Sequence, residues 1–190
     1  MTKRRGSADI ISSTAALLEM STPRPLTRFS SYLSGCNDVL LAISAEIIAH
    51  LDACGPDEGA ARSRSRARAS DLMWLWTLGA YEVSRTMCQA RACFSARSHR
   101  ALSDLRLALE RVRVPNTKME RLKYDRKSPG VPVRSDRAPE VWADEHRDIL
   151  IGDPADLVSA RRLLAMYAQV LAALTAEDIL RKHEDSYERG

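Results

Sequence analysis

The chain has 190 residues, of which 45% are hydrophobic and 28% charged, the ordinary balance of a globular protein with a core of its own. Its apolar runs are too short to suggest a membrane span, and its four cysteines lack zinc-type spacing, so we expect a cytoplasmic protein with reduced thiols and no metal or other cofactor. The net charge of +4 is segregated, because residues 1–5, 62–68 and 111–137 carry net +3, +4 and +6 while the remainder carries net −9.

Two helices are predicted in the first third of the chain. The first runs from about Ala8 to Met20 and ends before the prolines at positions 23 and 25. The second runs from Leu26 to Cys54, where glycine and proline follow, and an apolar residue recurs along it at helical spacing. Residues 55–69 are predicted to be a linker, since glycine, proline and acidic residues precede an alternation of arginine and serine.

A central helix is predicted from Asp71 to Phe94. Apolar or small residues fill nearly every face of this segment, which is typical of a helix covered on several sides. Glu82 and Arg85 lie within it, so we expect both to be buried and paired, with each other or with arginines of the next helix.

The remaining elements are also predicted to be helical. A fourth helix runs from about Arg100 to Arg113, a long basic loop occupies 115–138, a short helix covers 140–150, and a last helix runs from Pro154 to about His183. The whole chain, residues 1–190, is therefore expected to form a single-domain, all-α bundle of about five helices around the central helix 71–94.

Catalytic and metal-binding motifs are weak in this sequence. The string from His146 through Asp148 to Asp153 has the spacing of a protein-kinase catalytic loop, but no glycine-rich loop or metal-binding D-F-G sequence accompanies it. None of the four histidines forms a pair of metal ligands at helical spacing, so the sequence predicts no metal site. Cys88 and Cys93 lie near His99 in sequence, yet both are on the central helix and are expected to pack rather than react. We therefore assign no catalytic residue.

A small helical bundle with buried Glu and Arg residues resembles the HEPN family of RNA-cutting toxins in architecture. The signature of that family is an arginine followed by a histidine, with four to six residues between them. No histidine of this chain has an arginine at that spacing, and Arg91 precedes His99 by eight positions. The resemblance implies a fold and transfers no residue, leaving a HEPN-like nuclease or nucleotide-binding enzyme, with Glu82 and Arg85 in a cleft, as one alternative.

The long basic loop and the helix end before it give the leading functional hypothesis. Lysine and arginine side chains can neutralise phosphates, and a tyrosine among them can stack on a base. The candidate nucleic-acid-binding residues are Arg111, Arg113, Lys118, Arg121, Lys123, Tyr124, Arg126 and Lys127. We thus expect a non-enzymatic protein whose basic loop contacts an anionic partner, nucleic acid first. The alternatives are an acidic protein surface, or an interaction subunit or homo-oligomer with no nucleic-acid role.

Overall fold

The structure is a computed structural model, and it describes residues 24–54, 59–117, 140–153 and 155–183. The first predicted helix, Ala8–Met20, lies outside these residues. The described residues form five α-helices and three β-strands, in the order α1 Leu26–Phe29, α2 Ser31–Asp52, α3 Ala60–Gln89, α4 Ala96–Thr117, β1 Glu140–Ala143, β2 Asp148–Asp153, β3 Asp156–Ser159 and α5 Ala160–Ala172.

Helices α1 and α2 replace the single second helix that the sequence predicts. The chain becomes extended at Ser30, whose hydroxyl accepts a hydrogen bond from the Leu33 amide and so caps α2. Along α2 a stripe of leucine and isoleucine residues is buried against α3. The two helices approach closely at Gly79, where an added Cβ would lie 2.8 Å from the Leu40 Cδ2 atom.

Helix α3 is longer at its N-terminus than predicted. It begins at Ala60 and ends at Gln89, and a 3-10 turn at Arg91–Cys93 follows it, so the predicted linker is wrong over residues 60–69. Arginine and alanine are strong helix formers, and their intrinsic propensity outweighs the serines between them. Helix α3 also has a solvent face, because Trp74 and Leu75 are 43% and 50% exposed. Helix α3 packs against both α2 and α4, as expected of a helix covered on several sides, but the prediction that it has no clear solvent face is wrong.

Helix α4 extends beyond both predicted ends, from Ala96 to Thr117. Pro115 lies in its last turn with a buried side chain, where a missing backbone N–H interrupts little of the helix. The predicted loop 115–138 is thus wrong for its first three residues, and residues 118–138 lie outside the described part of the chain.

A small antiparallel sheet occupies the region predicted to be a short helix over 140–150. Strand β2 pairs with β1 on one side and with β3 on the other, and Trp142 lies opposite Ile149. The turn between β1 and β2 places Arg147 in the left-handed region, with φ of 47°. Strands this short, with β2 buried at four of its six positions, do not display a two-residue alternation, so their residues resemble a helical pattern.

The last predicted helix is also corrected, because its first residues form β3 and α5 ends at Ala172. The chain then crosses the end of the bundle without regular structure. It is held there by a bridge between Phe94 and Ile179 and by hydrogen bonds from the Leu180 amide to the Cys93 carbonyl and from the His183 amide to the Phe29 carbonyl, each 2.9 Å long.

The expectation of an all-α protein is therefore confirmed in its coarse form, a mostly helical chain, with a three-stranded sheet added. By length and apolar content alone, α2 is the one described helix that could cross a membrane, although polar residues such as Asn37 and Ser44 divide its apolar runs. A core helix can meet the same criterion, and Leu40, Ile47 and Leu51 of α2 are at most 5% exposed within the bundle.

Candidate nucleic-acid interface

Two of the predicted site residues lie at the C-terminal end of α4. The Arg111 side chain is 66% exposed, and its guanidinium lies 3.7 Å from the Asp156 carboxylate. The Arg113 side chain is only 20% exposed, because its guanidinium stacks over the Tyr81 ring at 4.4 Å and lies 3.8 Å from the Glu82 carboxylate. The other predicted contacts lie outside the described residues, namely Lys118, Arg121, Lys123, Tyr124, Arg126 and Lys127.

Glu82 and Arg85 are paired but not buried. The Arg85 Nε atom donates to Glu82 Oε2 at 2.7 Å, and the second Glu82 oxygen faces Arg113 of α4. The Arg85 and Glu82 side chains remain 43% and 46% exposed, so the prediction that they are buried is wrong. They lie at helical spacing from the exposed Trp74 and Leu75 of α3, and Arg113 of α4 approaches Glu82 from one side. A pair this exposed contributes about 0.2–1 kcal/mol, not the cost of a buried charge.

The outward side of α4 is cationic along most of its length. Arg97, Arg100, Asp104, Leu107 and Arg111 recur every three or four residues, and all five are exposed. Three arginines accompany one carboxylate on this surface, which we call the α4 cationic face. From Arg97 to Arg111 the helix rises about 21 Å. In the sequence, these residues occupy the helix positions that the buried leucines of α4 leave for solvent. Arg111 is the one member of the face that was among the predicted site residues.

The arginine- and serine-rich stretch contributes mainly to internal contacts. The guanidinium groups of Arg62 and Arg66 both contact the Asp144 carboxylate, and Arg66 also lies over the Trp142 ring at 4.8 Å. Arg68 pairs with Glu46 at 3.0 Å. Three of its four arginines are therefore committed to binding the sheet and α2, which leaves few free cations for a phosphate backbone.

A second contact between α3 and the sheet involves a partly buried carboxylate. The Ser70 hydroxyl donates to Glu140 Oε1 at 2.5 Å, at the beginning of β1. Burial raises the pKa of Glu140, and the Ser70 hydrogen bond offsets part of that rise. The partner of this carboxyl is the Ser70 hydroxyl and its charged neighbour is Asp71, so the contact joins α3 to the beginning of β1.

The cysteines and histidines do not form a reactive arrangement among the described residues. Burial raises the pKa of the Cys88 thiol, whose sulfur lies 4.0 Å from the Ser103 hydroxyl. His99 Nε2 lies 3.2 Å from the Cys88 carbonyl oxygen, so this nitrogen is bound to the backbone and not directed at the sulfur. No group of three His, Cys, Asp or Glu side chains suited to a metal ion occurs in the described part of the chain.

A surface cavity of about 670 Å³ lies where α3 ends and the C-terminal segment crosses the bundle. Its walls include Arg91, Phe94, Leu180 and His183. The His183 ring stacks on Phe29, with centroids 4.9 Å apart. The described walls hold one histidine and one arginine and neither a carboxylate nor a thiol, and the Thr86 hydroxyl among them donates to the Glu82 carbonyl oxygen at 2.9 Å.

Asp148, the central residue of the kinase-like motif, has a structural role. Asp148 is 5% exposed, and its carboxylate accepts hydrogen bonds from the Ile149 and Arg161 amides and from the Ser159 hydroxyl. It therefore ties β2 to the beginning of α5.

Comparisons of the chain with protein-family models, with curated proteins and with solved structures find no match.

Proposed function

We propose that this protein binds nucleic acid, without catalysing a reaction, through the α4 cationic face and the basic segment that follows it. The observation that carries the proposal is the exposure of Arg97, Arg100 and Arg111 on one side of a regular helix. The chain then continues directly into Lys118–Lys127, which holds five of the predicted cationic contacts. Together they form one continuous basic stretch of sequence.

Two features of the described residues support a phosphate-binding role for this surface, and Arg113 has a separate, positioning role. The helix fixes the spacing of its arginines, so little order has to be gained on binding. Asp104 is the single acidic residue on the face, and Arg111 has only a long, exposed contact with Asp156. The Arg113 guanidinium is held against Tyr81 and Glu82, so it positions the end of α4 rather than reaching solvent.

Binding of this kind depends on counterion release and should weaken as salt increases. If about five phosphates of a single strand are neutralised, the slope of log affinity against log salt should be roughly −3.5. Sequence is read by side chains that enter a groove and contact the edges of the bases. The α4 cationic face presents only a row of arginines along one side of a helix. We therefore expect little sequence preference.

The proposal is tested with a labelled single-stranded RNA and fluorescence anisotropy between ~50 and ~200 mM salt. Replacing Arg97, Arg100 and Arg111 by alanine should reduce the slope by about 2, from three lost phosphate contacts at roughly 0.7 each. The matched control replaces three other exposed arginines, at positions 64, 162 and 181, and removes the same charge. Equal losses in both variants would show a general charge effect, and no binding at ~50 mM salt would contradict the proposal.

The two alternatives give different results in the same samples. An acidic protein surface as the natural partner would leave RNA binding weak and independent of the α4 cationic face. A HEPN-like nuclease would shorten the labelled RNA over time, which a denaturing gel detects. Intact RNA with salt-dependent binding is the outcome expected here.

A further inference from the structure

Helix α3 presents an exposed tryptophan near the C-terminal end of α4. Trp74 is 43% exposed, whereas Trp76 is fully buried and the Trp142 ring lies against the Arg66 guanidinium. Within the described part of the chain, Trp74 has no ring–ring or cation–π contact. A tryptophan ring is among the side chains that contribute most to binding when a partner covers it. The exposed face of this ring is therefore available to a ligand.

The length of α4 explains why this ring is exposed. Helices α3 and α4 are antiparallel, since their contacts descend along α3 as they rise along α4. Trp74 and Tyr81 are seven residues apart, so both lie on the side of α3 that faces α4. Arg113 covers the Tyr81 ring, which is 7% exposed. Trp74 lies about 10 Å further along, whereas α4 continues for only about 6 Å beyond Arg113 and ends at Thr117.

The exposed ring lies on the same outer surface of the α3–α4 pair as the α4 cationic face, because both point away from the buried residues of their helices. Arg111 is two residues before Arg113, so Trp74 lies about 14 Å beyond Arg111 along the bundle. The carboxylates of Glu82 and Glu110 lie between them, and each pairs with an arginine of its own helix, at 2.7 and 2.9 Å. A strand bound to the α4 cationic face can therefore continue to the ring past neutralised carboxylates.

We infer that Trp74 stacks on a base of a single-stranded nucleic acid whose phosphates contact the α4 cationic face. This inference rests on the proposed function and adds the class of nucleic acid. Unpaired bases expose their faces and stack on aromatic side chains whatever their identity. In a duplex the faces of the bases are stacked on one another, so a single ring on a helix surface has no base to cover. The ligand is therefore single-stranded.

The surroundings of the ring favour a base over a phosphate or a protein. Asp71 is exposed one turn before Trp74, so its carboxylate repels a phosphate placed at the ring. Leu75 is 50% exposed beside it and adds apolar surface that suits the flat face of a base. These two are the exposed large hydrophobic residues of α3, which is a small area for a protein interface.

The test compares strands that share their phosphates and differ in their bases. Fluorescence anisotropy at ~100 mM salt measures binding of single-stranded RNA, single-stranded DNA, an abasic DNA strand and a duplex of equal length. Trp74→Ala should raise the dissociation constant for both base-bearing single strands by roughly 5- to 100-fold, the effect of one lost stacking contact. Binding of the abasic strand and of the duplex should not change. The slope against log salt should stay that of the parent, because no charge is removed.

Two further variants separate stacking from a general loss of surface. Trp74→Phe keeps an aromatic ring and should retain most of the affinity for the base-bearing strands. Tyr32→Ala is the matched control, because Tyr32 is an 80% exposed ring at the beginning of α2. Helix α2 is antiparallel to α3, so Tyr32 lies at the opposite end of α3 from Trp74, and this variant should bind like the parent. Urea unfolding verifies that each variant is folded.

The outcomes distinguish this inference from the proposed function. Salt-dependent binding of base-bearing strands that is equal in the parent and in Trp74→Ala would overturn the inference and leave the proposed function standing. An equal loss on the abasic strand would also overturn it, because the ring would then act without a base. Absence of binding by the parent at ~50 mM salt would overturn both.

Discussion

Replacing Asp148 by alanine should unfold the link between the sheet and α5. The buried carboxylate accepts the Ile149 amide at 2.8 Å, the Arg161 amide at 3.2 Å and the Ser159 hydroxyl. Hydrogen bonds to a charged group contribute about 1.5–3 kcal/mol each, and a buried donor left without a partner costs about 1–3 kcal/mol. The Ser159 hydroxyl can turn elsewhere, so the two amides dominate, and we expect a loss of about 3–4 kcal/mol.

Asp148→Asn is the matched control, because asparagine has the same shape and keeps one carbonyl oxygen for the two amides. Its new amide group can donate to the Ser159 hydroxyl, so the expected loss is only about 1 kcal/mol, the part due to charge. Urea unfolding followed by tryptophan fluorescence measures both values, and for a chain of this size ~3.5 kcal/mol lowers the melting temperature by roughly 10 °C. If the alanine variant loses no more than the asparagine variant, the carboxylate does not hold β2 to α5.

Three further results are expected. Glu82→Gln should change the free energy of unfolding, measured in urea, by less than about 1 kcal/mol, because the ion pairs of Glu82 are half-exposed. A loss above about 3 kcal/mol would show instead that Glu82 behaves as a buried charge. Glu140→Gln should stabilise the protein at pH 7, because the raised pKa of Glu140 means that its ionised form is disfavoured in the folded state. The gain in stability should shrink as the pH falls through the folded-state pKa of Glu140. A gain that does not change with pH would contradict this explanation. Cys88 should react slowly with a thiol reagent at pH 7, since burial raises its pKa, and labelling as fast as free cysteine would show an activated thiolate.

The helices of this protein follow from local sequence, and the sheet does not. A stripe such as Leu102, Leu105 and Leu109 is visible in sequence and is fully buried in α4. Strands β1 and β3 have four residues each, which is too few to show a period, and β2 is buried at positions on both of its faces, so it shows no alternation either. The error at 60–69 has a different cause, because the helix propensity of arginine and alanine outweighs the serines there, and the ion pair of Arg62 with Asp144 that holds the segment spans 82 positions.

Of the described part of the candidate site, the sequence predicted only the residues at the C-terminal end of α4. Arg111 and Arg113 stand out as cations at the end of a helix, but the sequence does not show that Tyr81 and Glu82 hold Arg113 while Arg111 stays exposed. Whether an arginine is free depends on tertiary contacts. Composition alone therefore marks the stretch containing Arg62 as a basic linker, whose charges the fold uses internally, and does not single out Arg97.

The short sheet has a consequence for how the protein avoids aggregation. With the order β1–β2–β3 among the described residues, the two outer strands have four residues each, and so they offer only a few backbone groups to a strand from another molecule. Arg66 packs over the ring of Trp142 in β1, and the chain passes from Ser159 of β3 straight into α5. Charged, short or covered edges discourage intermolecular strand pairing. The sheet can thus supply a buried strand to the core without becoming a template for fibrils.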